Sequence, residues 1–364
     1  MTLRLEGISK YVEGEMHIDR VDMACEPGQA TVLLGLTQAG KTTLMRLMAG
    51  LDRPSSGRIL MDDRDVTRVP VRKRKVAMVY QQFINYPSLS IYDNIASPLK
   101  LARISKVEID RRVRAEAERM QIGHLLDRLP AELSGGQQQR TAMARALVRD
   151  AQLLLLDEPL INLDYKLREQ LREDLQQIFR ERDTVIVYAT TEPLEALTLG
   201  GSTAVMHEGR LVQHGPTPEV YHRPASVAVS QVFSDPPMNL FAGELDNGEL
   251  SLGAEARFKA PTHLRDLPSG RYRFGVRPGQ MHLDNRDQAR MALTGEVEVA
   301  EIAGSETYIH VRHGEAAWVV QVEGVHAFGL GDPITVYIDP DRLFAFDSAG
   351  RLVAAPASAR PDAT

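Results

Sequence analysis

The fold of this chain is decided by the stretch Val32-Leu33-Leu34-Gly35-Leu36-Thr37-Gln38-Ala39-Gly40-Lys41-Thr42-Thr43. An apolar run ends at a glycine, a loop follows, and a helix-forming segment begins, which is the context in which G-x-x-x-x-G-K-[ST] forms a phosphate-binding loop. Gly35 and Gly40 let the backbone bend tightly and approach a phosphate closely, while backbone N–H groups turn inward at the start of the helix. Lys41 offers a cation to the phosphates, and Thr42 offers a hydroxyl to Mg²⁺. An ordinary glycine-rich turn between strand and helix is the alternative for the loop alone. The predicted nucleotide-binding residues are Gly35, Leu36, Thr37, Gln38, Ala39, Gly40, Lys41, Thr42 and Thr43.

Composition limits what the rest of the chain can be. Its 364 residues suit roughly two domains of about 150 residues each. Cys25 is the only cysteine, so an intrachain disulfide is excluded, and we expect a buried thiol in a reducing compartment. The net charge of -6 argues against a nucleic-acid surface. We expect no signal peptide, and no apolar run approaches the roughly 20 residues that span a bilayer, so any membrane span would come from a partner.

Two acidic residues follow a second apolar strand, Gln152-Leu153-Leu154-Leu155-Leu156-Asp157-Glu158-Pro159. Ligands of open α/β sheets bind at the carboxyl ends of the strands. Asp157 suits Mg²⁺ binding through water, and Glu158 suits a base that polarises the attacking water. A simple helix N-cap is the alternative for this pair.

Polar residues elsewhere are expected to complete the site. Gln81 ends the strand Val76–Tyr80, where its amide could bind Mg²⁺ through oxygen and orient a water. Ser134 is predicted to cap a helix whose first N–H groups stay open to a phosphate. The predicted phosphate-binding residues there are Ser134, Gly135, Gly136 and Gln137. Tyr11 could stack on an adenine ring or be a partly buried aromatic at a strand end.

The chain is predicted to form two domains. Residues 1–234 are expected to form an α/β nucleotide-binding domain with a helical subdomain at about 85–150, residues 235–353 an all-β domain, and residues 354–364 a disordered tail. The strands predicted beyond residue 239 are 273–277, 295–302, 306–312, 317–322 and 334–338. Trp318 is expected in the core, and the basic cluster Arg72–Lys75 is expected in a solvated loop. For the apolar loop Phe83–Leu89, a partner contact and packing on its own domain remain equally open.

Together these motifs resemble the ATP-binding subunit of an ABC transporter. They come in the family's order: Walker A at Gly35–Thr42, Q-loop at Gln81, signature at Leu133–Gln137, Walker B ending at Asp157 with Glu158, and D-loop at Asn162–Asp164. The resemblance implies a P-loop ABC-type nucleotide-binding domain with a helical subdomain, followed by an OB-like all-β regulatory domain. It adds Asp164 to the nucleotide-binding residues.

The C-terminal part resembles the carbohydrate-importer branch of this family. The matching stretches are Pro237-Met238-Asn239, Gly275-Val276-Arg277-Pro278 and Asp339-Pro340-Asp341-Arg342. The stretches Phe83-Ile84-Asn85-Tyr86-Pro87 and Ala189-Thr190-Thr191-Glu192-Pro193 resemble one of the paired ATPases of bacterial glycerol importers.

This resemblance implies the cofactors ATP and Mg²⁺ and several partners. Two ATPase subunits close head to tail, and each ATP lies between one subunit's Walker A and the other's signature. The further partners are two transmembrane permease subunits and, indirectly, a periplasmic solute-binding protein, with no nucleic acid. The chain would be peripheral at the cytoplasmic face of the bacterial inner membrane.

One position departs from the family pattern, since Thr191 stands where the family has the switch histidine. Threonine is shorter than histidine and cannot become cationic. We therefore expect the site on this chain's own Walker loop to hydrolyse ATP weakly, with Glu158, Gln81 and Thr191 as its catalytic residues, in a pair with a different ATPase chain. The alternative is that Thr191 is tolerated because water or Glu158 suffices. A soluble ABC ATPase and a nucleotide-binding regulator are the competing functions.

Overall fold

The computed structural model describes residues 1–161, 163, 165–181, 183–252, 256–285, 290–314 and 316–357. The chain divides into two compact units, Met1–Thr217 and Pro218–Thr364. In the described part of the chain, no helix has both the length and the apolar character needed to cross a membrane.

The first unit contains an open sheet of mixed direction and a smaller antiparallel sheet. Its strands are β1 (Leu3–Val12), β2 (Glu15–Cys25), β3 (Ala30–Leu34), β4 (Ser56–Met61), β5 (Arg64–Asp65), β6 (Val76–Val79), β7 (Leu153–Asp157), β8 (Val185–Thr190), β9 (Ser202–His207) and β10 (Arg210–Pro216). Its helices are α1 (Lys41–Ala49), α2 (Ile91–Leu101), α3 (Lys106–Arg119), α4 (Gly135–Leu147), α5 (Tyr165–Glu181) and α6 (Pro193–Leu199).

The large sheet brings the predicted motifs to one edge. Its strand order is β10–β9–β3–β8–β7–β6, with every pair parallel except β10 with β9. Unbroken apolar strands such as β7 and β8 are buried along their whole length, as expected for parallel strands covered on both faces. In register, Leu34 lies beside Thr190 and Asp157 lies beside Ala189. The carboxyl ends of β3, β7 and β8 therefore meet at the same edge.

The smaller sheet of the first unit has the order β2–β1–β4–β5. Its apolar face shares a core with α1, and Cys25 lies in this core as predicted. Burial raises the pKa of the Cys25 thiol to about 12, so this thiol stays protonated and unreactive at neutral pH.

Three capped helices fall inside the predicted helical subdomain. Ser90, Ser105 and Ser134 each accept a hydrogen bond from a backbone N–H in the first turn of α2, α3 and α4, respectively. Such caps satisfy donors that the helix itself cannot pair.

In the basic cluster Arg72–Lys75, three residues are exposed as predicted, and only Arg74 departs from the prediction of a solvated loop. Residues Val71–Lys73 form a 3₁₀ turn, and Arg74 is buried rather than solvated. Its guanidinium donates to the carbonyl of Met48 at the end of α1 and to the carbonyl of Val69. A cation at the carboxyl end of a helix is favourable, so Arg74 stabilises the last turn of α1.

The second unit is mainly β-structure. Two short helices open it, α7 (Thr217–His222, which begins at the last residue of the first unit) and α8 (Val227–Val232). Its strands are β11 (Asn239–Asp246), β12 (Glu249–Leu252), β13 (Ala256–Lys259), β14 (Gly270–Val276), β15 (Met281–His282), β16 (Met291–Ala303), β17 (Glu306–His313), β18 (Ala316–Glu323), β19 (Pro333–Ile338), β20 (Phe344–Phe346) and β21 (Leu352–Ala354). They form sheets of order β13–β12–β11–β14–β20–β21 and β15–β19–β16–β17–β18.

A single large apolar cluster spans both sheets of the second unit. Trp318 is 2% exposed within it, which confirms its predicted core position. All five strands predicted beyond residue 239 are present, each with somewhat different ends, whereas β11, β12, β13, β15, β20 and β21 were not predicted. The missed strands are short or interrupted by glycine and acidic residues, which weakens their alternating pattern.

The two units divide at Thr217/Pro218, whereas the sequence predicted a boundary at 234/235. The segment between these points belongs with the β-structure because its backbone pairs there. The N–H of Val227 donates to the carbonyl of Gly350, and the N–H of Leu352 donates to the carbonyl of Ala225. At the other end, Ala354 closes β21, and residues 358–364 of the predicted tail lie outside the described residues.

Candidate nucleotide-binding site

The loop between β3 and α1 is shaped by residues with positive φ. Gln38 has φ 67° and Gly40 has φ 99°, a region that favours glycine. A Cβ on Gly35 would lie 2.5 Å from the carbonyl oxygen of Met206, so only glycine fits against β9 here. The N-cap of α1 has no side-chain hydrogen bond. The first N–H groups of α1 are therefore left for an anionic ligand.

Lys41 is held inside the loop by backbone carbonyls. Its Nζ donates to the carbonyls of Gly35 at 2.8 Å and Leu36 at 3.1 Å. It also lies 3.2 Å from Oε1 of Glu158, and the Lys41 side chain is 4% exposed. A buried ammonium strengthens any interaction with a phosphate because little water screens it.

Glu158 lies between Lys41 and Gln81. The amide nitrogen Nε2 of Gln81 donates to Oε2 of Glu158 at 3.0 Å. Glu158 has φ 47°, and its N–H donates to the carbonyl of Ala189 at 2.9 Å. The strained backbone places this carboxylate at the sheet edge, where it points into the site.

Asp157 faces the start of α1. The hydroxyl of Thr42 donates to Oδ1 of Asp157 at 3.2 Å. Burial raises the pKa of Asp157 above the ordinary value of 3.8, an effect that the hydrogen bond from Thr42 opposes. Burying a charged carboxylate costs free energy when a single neutral hydrogen bond is all that compensates for the lost water.

These donors fit a divalent ion that arrives with a nucleotide. Among the described residues, no group of three or more His, Cys, Asp or Glu side chains could hold a metal by itself. Mg²⁺ typically takes one or two carboxylates together with waters and substrate phosphates. The hydroxyl of Thr42, the carboxylate of Asp157 and the amide oxygen of Gln81 suit that pattern.

A cavity of about 640 Å³ opens at this edge. Eight predicted residues line it, namely Thr37, Gln38, Gly40, Lys41, Thr42, Thr43, Gln81 and Glu158. Gly35 and Leu36 do not line the cavity in the described chain, but their carbonyls hold Lys41 in place. The N–H of Ala39 donates to the carbonyl of Leu36.

Sequence reasoning missed one wall of this cavity, formed by Glu15, Met16, His17, Glu208 and Gly209. The turns Glu13-Gly14 and Glu208-Gly209 mark two hairpins in the sequence, but nothing local shows that both fold toward the phosphate loop. Tyr11 pairs with Met16 across the first hairpin and is 49% exposed. It is not among the cavity-lining residues in the described part of the chain.

Thr191 follows β8 at the same edge. The N–H of Gly35 donates to the carbonyl of Thr190 at 3.3 Å, so the backbone next to Thr191 touches the start of the phosphate loop. Thr191 is half-buried and, among the described residues, is not one of those that line the cavity.

The signature residues lie apart from this cavity. Ser134 and Gln137 form a capping box, with the backbone N–H of each bonded to the side chain of the other. Ser134 and Gly135 are exposed, and none of the four predicted signature residues lines the cavity of the described chain. Asp164, together with Asn162, lies outside the described residues.

The loop Phe83–Leu89 combines both readings that the sequence left open. Asn94 bonds to the N–H and the carbonyl of Tyr86, so the loop packs on its own domain. The side chains of Ile84 and Tyr86 are nevertheless 59% and 48% exposed, which leaves an apolar surface available to a partner.

Comparisons with known proteins show which families the chain resembles. Residues 18–161 match the ABC transporter family, and residues 274–346 match the TOBE domain family. The chain is 35% identical over 356 residues to the sn-glycerol-3-phosphate import ATP-binding protein UgpC of Psychromonas ingrahamii, with 95% of this chain and 94% of that protein covered. It is 37% identical over 364 residues to the trehalose/maltose import ATP-binding protein MalK of Thermococcus litoralis, with 95% and 97% covered.

Solved structures of the same family resemble part of the chain. The ATP-binding cassette MJ0796, in a dimeric post-hydrolysis state bound to ADP and Pi, superposes with a TM-score of 0.55 at 25% identity, covering 59% of this chain and 98% of that one. CbiO1 of Clostridium perfringens, part of the ABC transporter complex cbiONQ, has a TM-score of 0.55 at 30% identity and covers 60% of this chain and 90% of that one.

The chain therefore belongs to the ABC transporter family, as an ATP-binding subunit of the importer type. It is an ATPase that energises import. The predicted ABC-type fold with a C-terminal OB-like domain is confirmed.

Proposed function

We propose that this chain is one member of a heteromeric ATPase pair that powers import of a hydroxyl-rich solute. In this proposal, the ATP site built on its own Walker loop hydrolyses weakly. The observation that carries the proposal is Thr191, which stands at the switch position beside the phosphate loop and has no ionisable group.

The chemistry of the site supports a weak but structured ATPase. Glu158 would accept the proton of the attacking water, and Gln81 holds this carboxylate in place through the hydrogen bond at 3.0 Å. Mg²⁺ bound with ATP would be held by Thr42, Asp157 and Gln81, and it would neutralise phosphate charge. A hydroxyl at position 191 supplies at most one neutral hydrogen bond, which is weaker than a bond from a cationic imidazole.

The signature segment is suited to a partner's nucleotide. Ser134 and Gly135 are exposed at the start of a 13-residue helix, where the helix N-terminus attracts phosphate. The related cassette MJ0796 forms a dimer with bound ADP and Pi. In the proposed pair, Ser134, Gly135, Gly136 and Gln137 complete the site on the other ATPase, with Asp164 contributing to the nucleotide contacts.

The solute class and the location follow from the relatives. Their names give sn-glycerol-3-phosphate and trehalose or maltose as imported solutes, all rich in hydroxyl groups. We therefore propose a carbohydrate or a polyol such as glycerol, delivered by a periplasmic solute-binding protein to two permease subunits. The chain would lie at the cytoplasmic face of the bacterial inner membrane.

Co-purification from the native cell tests the pairing. We would tag the chain, extract membranes with a mild detergent, and identify bound proteins by mass spectrometry against an untagged strain. We expect two permease subunits and a second, different ATPase. Permeases with no second ATPase would overturn the heteromeric pair, and the absence of permeases would overturn the importer.

A further inference from the structure

We propose that Arg168 is a positioning residue for ATP hydrolysis, because its guanidinium ties the segment that follows Glu158 to the loop that carries Thr191. Nη1 of Arg168 donates to Oε1 of Glu192 at 2.7 Å. Nη2 of the same side chain donates to the carbonyl of Leu163 at 3.4 Å. One side chain thus joins two loops from different strands of the sheet.

The bridge that Arg168 forms between Leu163 and Glu192 lies close to the nucleotide site. Arg168 lies in the first turns of α5, and Glu192 is the N-cap residue of α6. The side chains of Arg168 and Glu192 are 24% and 35% exposed, so water screens the pair only in part. The planar fork of arginine can bond two acceptors at once, which a lysine cannot do in the same geometry.

Glu192, which Arg168 holds in place, restricts the position of its neighbour, Thr191. The N–H of Glu192 donates to the hydroxyl of Thr190 at 3.0 Å, and the carbonyl of Thr190 accepts from Gly35. Thr191 is therefore held between two anchored residues. A threonine side chain has little reach of its own, so its distance from a nucleotide is set mainly by this backbone.

The inference rests on the proposed role of Thr191, but the bridge itself can be measured separately. We would compare Arg168→Met, Glu192→Gln and the charge-swapped pair Arg168→Glu with Glu192→Arg. The matched control is Gln176→Met, since Gln176 on the same helix α5 donates to the carbonyl of Thr198 at the far end of α6. All variants would be made in the assembled transporter, both with Thr191 and with Thr191→His.

The first readout is ATPase activity. We expect Arg168→Met and Glu192→Gln to lower kcat about tenfold with KM nearly unchanged. This loss is expected in the background, Thr191 or Thr191→His, in which the site on this chain's own Walker loop hydrolyses ATP. The charge-swapped pair should recover most of the loss, and Gln176→Met should not reproduce it. Equal losses in the control, or a change in KM and melting temperature without a change in kcat, would overturn the positioning role.

The second readout does not depend on turnover. Hydrogen exchange of the backbone in residues 189–194 should speed up in Arg168→Met and stay unchanged in Gln176→Met. Unchanged exchange in Arg168→Met would contradict the bridge, whatever the ATPase rates are. If Glu158→Gln in this chain abolishes turnover while the exchange result holds, the weak-site proposal fails and the bridge stands.

Discussion

The nucleotide-binding edge of the first unit buries charged side chains, whereas the core of the second unit buries apolar ones. At the edge, charged groups are buried: Lys41 is 4% exposed and Asp157 is 1% exposed, while Glu158 has φ 47°. In the second unit the side chains that are buried to the same extent are apolar and include Phe274, Phe344 and Trp318. The charged and strained groups at the edge lower the stability of the fold but form a ligand site. Among the described residues, the apolar groups of the second unit stabilise the fold and form no such site.

One charged residue in the second unit shows the difference most clearly. Arg277 is 7% exposed, yet its guanidinium lies 3.9 Å from the ring of Tyr221 and 5.0 Å from that of Phe344. It also donates to the carbonyl of Tyr221 in the last turn of α7. Arg277 is surrounded by groups of its own unit, while Lys41 also lines a cavity that can admit a ligand.

The largest expected effect is the loss of an aromatic side chain from the second unit. Phe346 is fully buried, so Phe346→Ala should lower the free energy of unfolding of this unit by about 4 kcal/mol. The affinity for ATP should not change. Chemical denaturation and nucleotide titration check both parts, with Leu330→Ala as the control because Leu330 is 86% exposed.

Removing the buried cation Lys41 should change mainly the affinity for ATP. Lys41→Met should weaken ATP binding roughly 100-fold, because a charged hydrogen bond in a dry site is worth about 3 kcal/mol. Calorimetric titration measures the affinity, and Lys75→Met provides a control of the same residue type outside the cavity. An affinity within a fewfold of wild type would contradict the assignment of Lys41 to the phosphates.

Asp157 should make the nucleotide-free protein less stable at neutral pH. Since burial raises its pKa above 3.8, the stabilising contribution of Asp157 is present below pH 3.8 and is lost as the pH rises through the raised pKa. Asp157→Asn should therefore melt roughly 3 °C higher than wild type at pH 7, with the gap closing toward pH 4. The same variant should lose the Mg²⁺-dependent part of ATP binding, and a lower melting temperature at pH 7 would refute this explanation.

Tyr11 is expected to give the smallest effect. If its half-exposed ring stacks on adenine, Tyr11→Ala should weaken ATP binding about fivefold, and Tyr11→Phe should leave it unchanged. Equilibrium binding of a fluorescent ATP analogue would measure both variants. No change in Tyr11→Ala would mean that Tyr11 is only a strand-end aromatic and that Met16 and His17 form the base-facing wall.

The two regions also differ in how far the sequence predicted them. The phosphate loop, Gln81, Asp157 and Glu158 were identified from the sequence because each follows an apolar strand at a fixed spacing, and parallel strands carry such residues to one edge. The hairpin residues Glu15–His17 were missed because their place depends on pairing across the chain rather than on local pattern.

In the second unit, the signal in the sequence was weaker. The strands around Val311 and Val336 alternate clearly and were predicted, whereas β11 begins at Asn239 and contains Gly243. Asn239 instead bonds to the N–H and the carbonyl of Val319 at 2.9 and 2.7 Å. A long-range contact of this kind leaves no periodic trace in the sequence.

The most direct test of the central claim is the ATPase rate of the assembled transporter with Glu158→Gln in this chain. We expect turnover to stay within about twofold of wild type, since a site with Thr191 contributes little hydrolysis, while Thr191→His should preserve or raise it. A near-total loss of turnover in Glu158→Gln would contradict the account, because it would show that this chain's own Walker site carries the reaction.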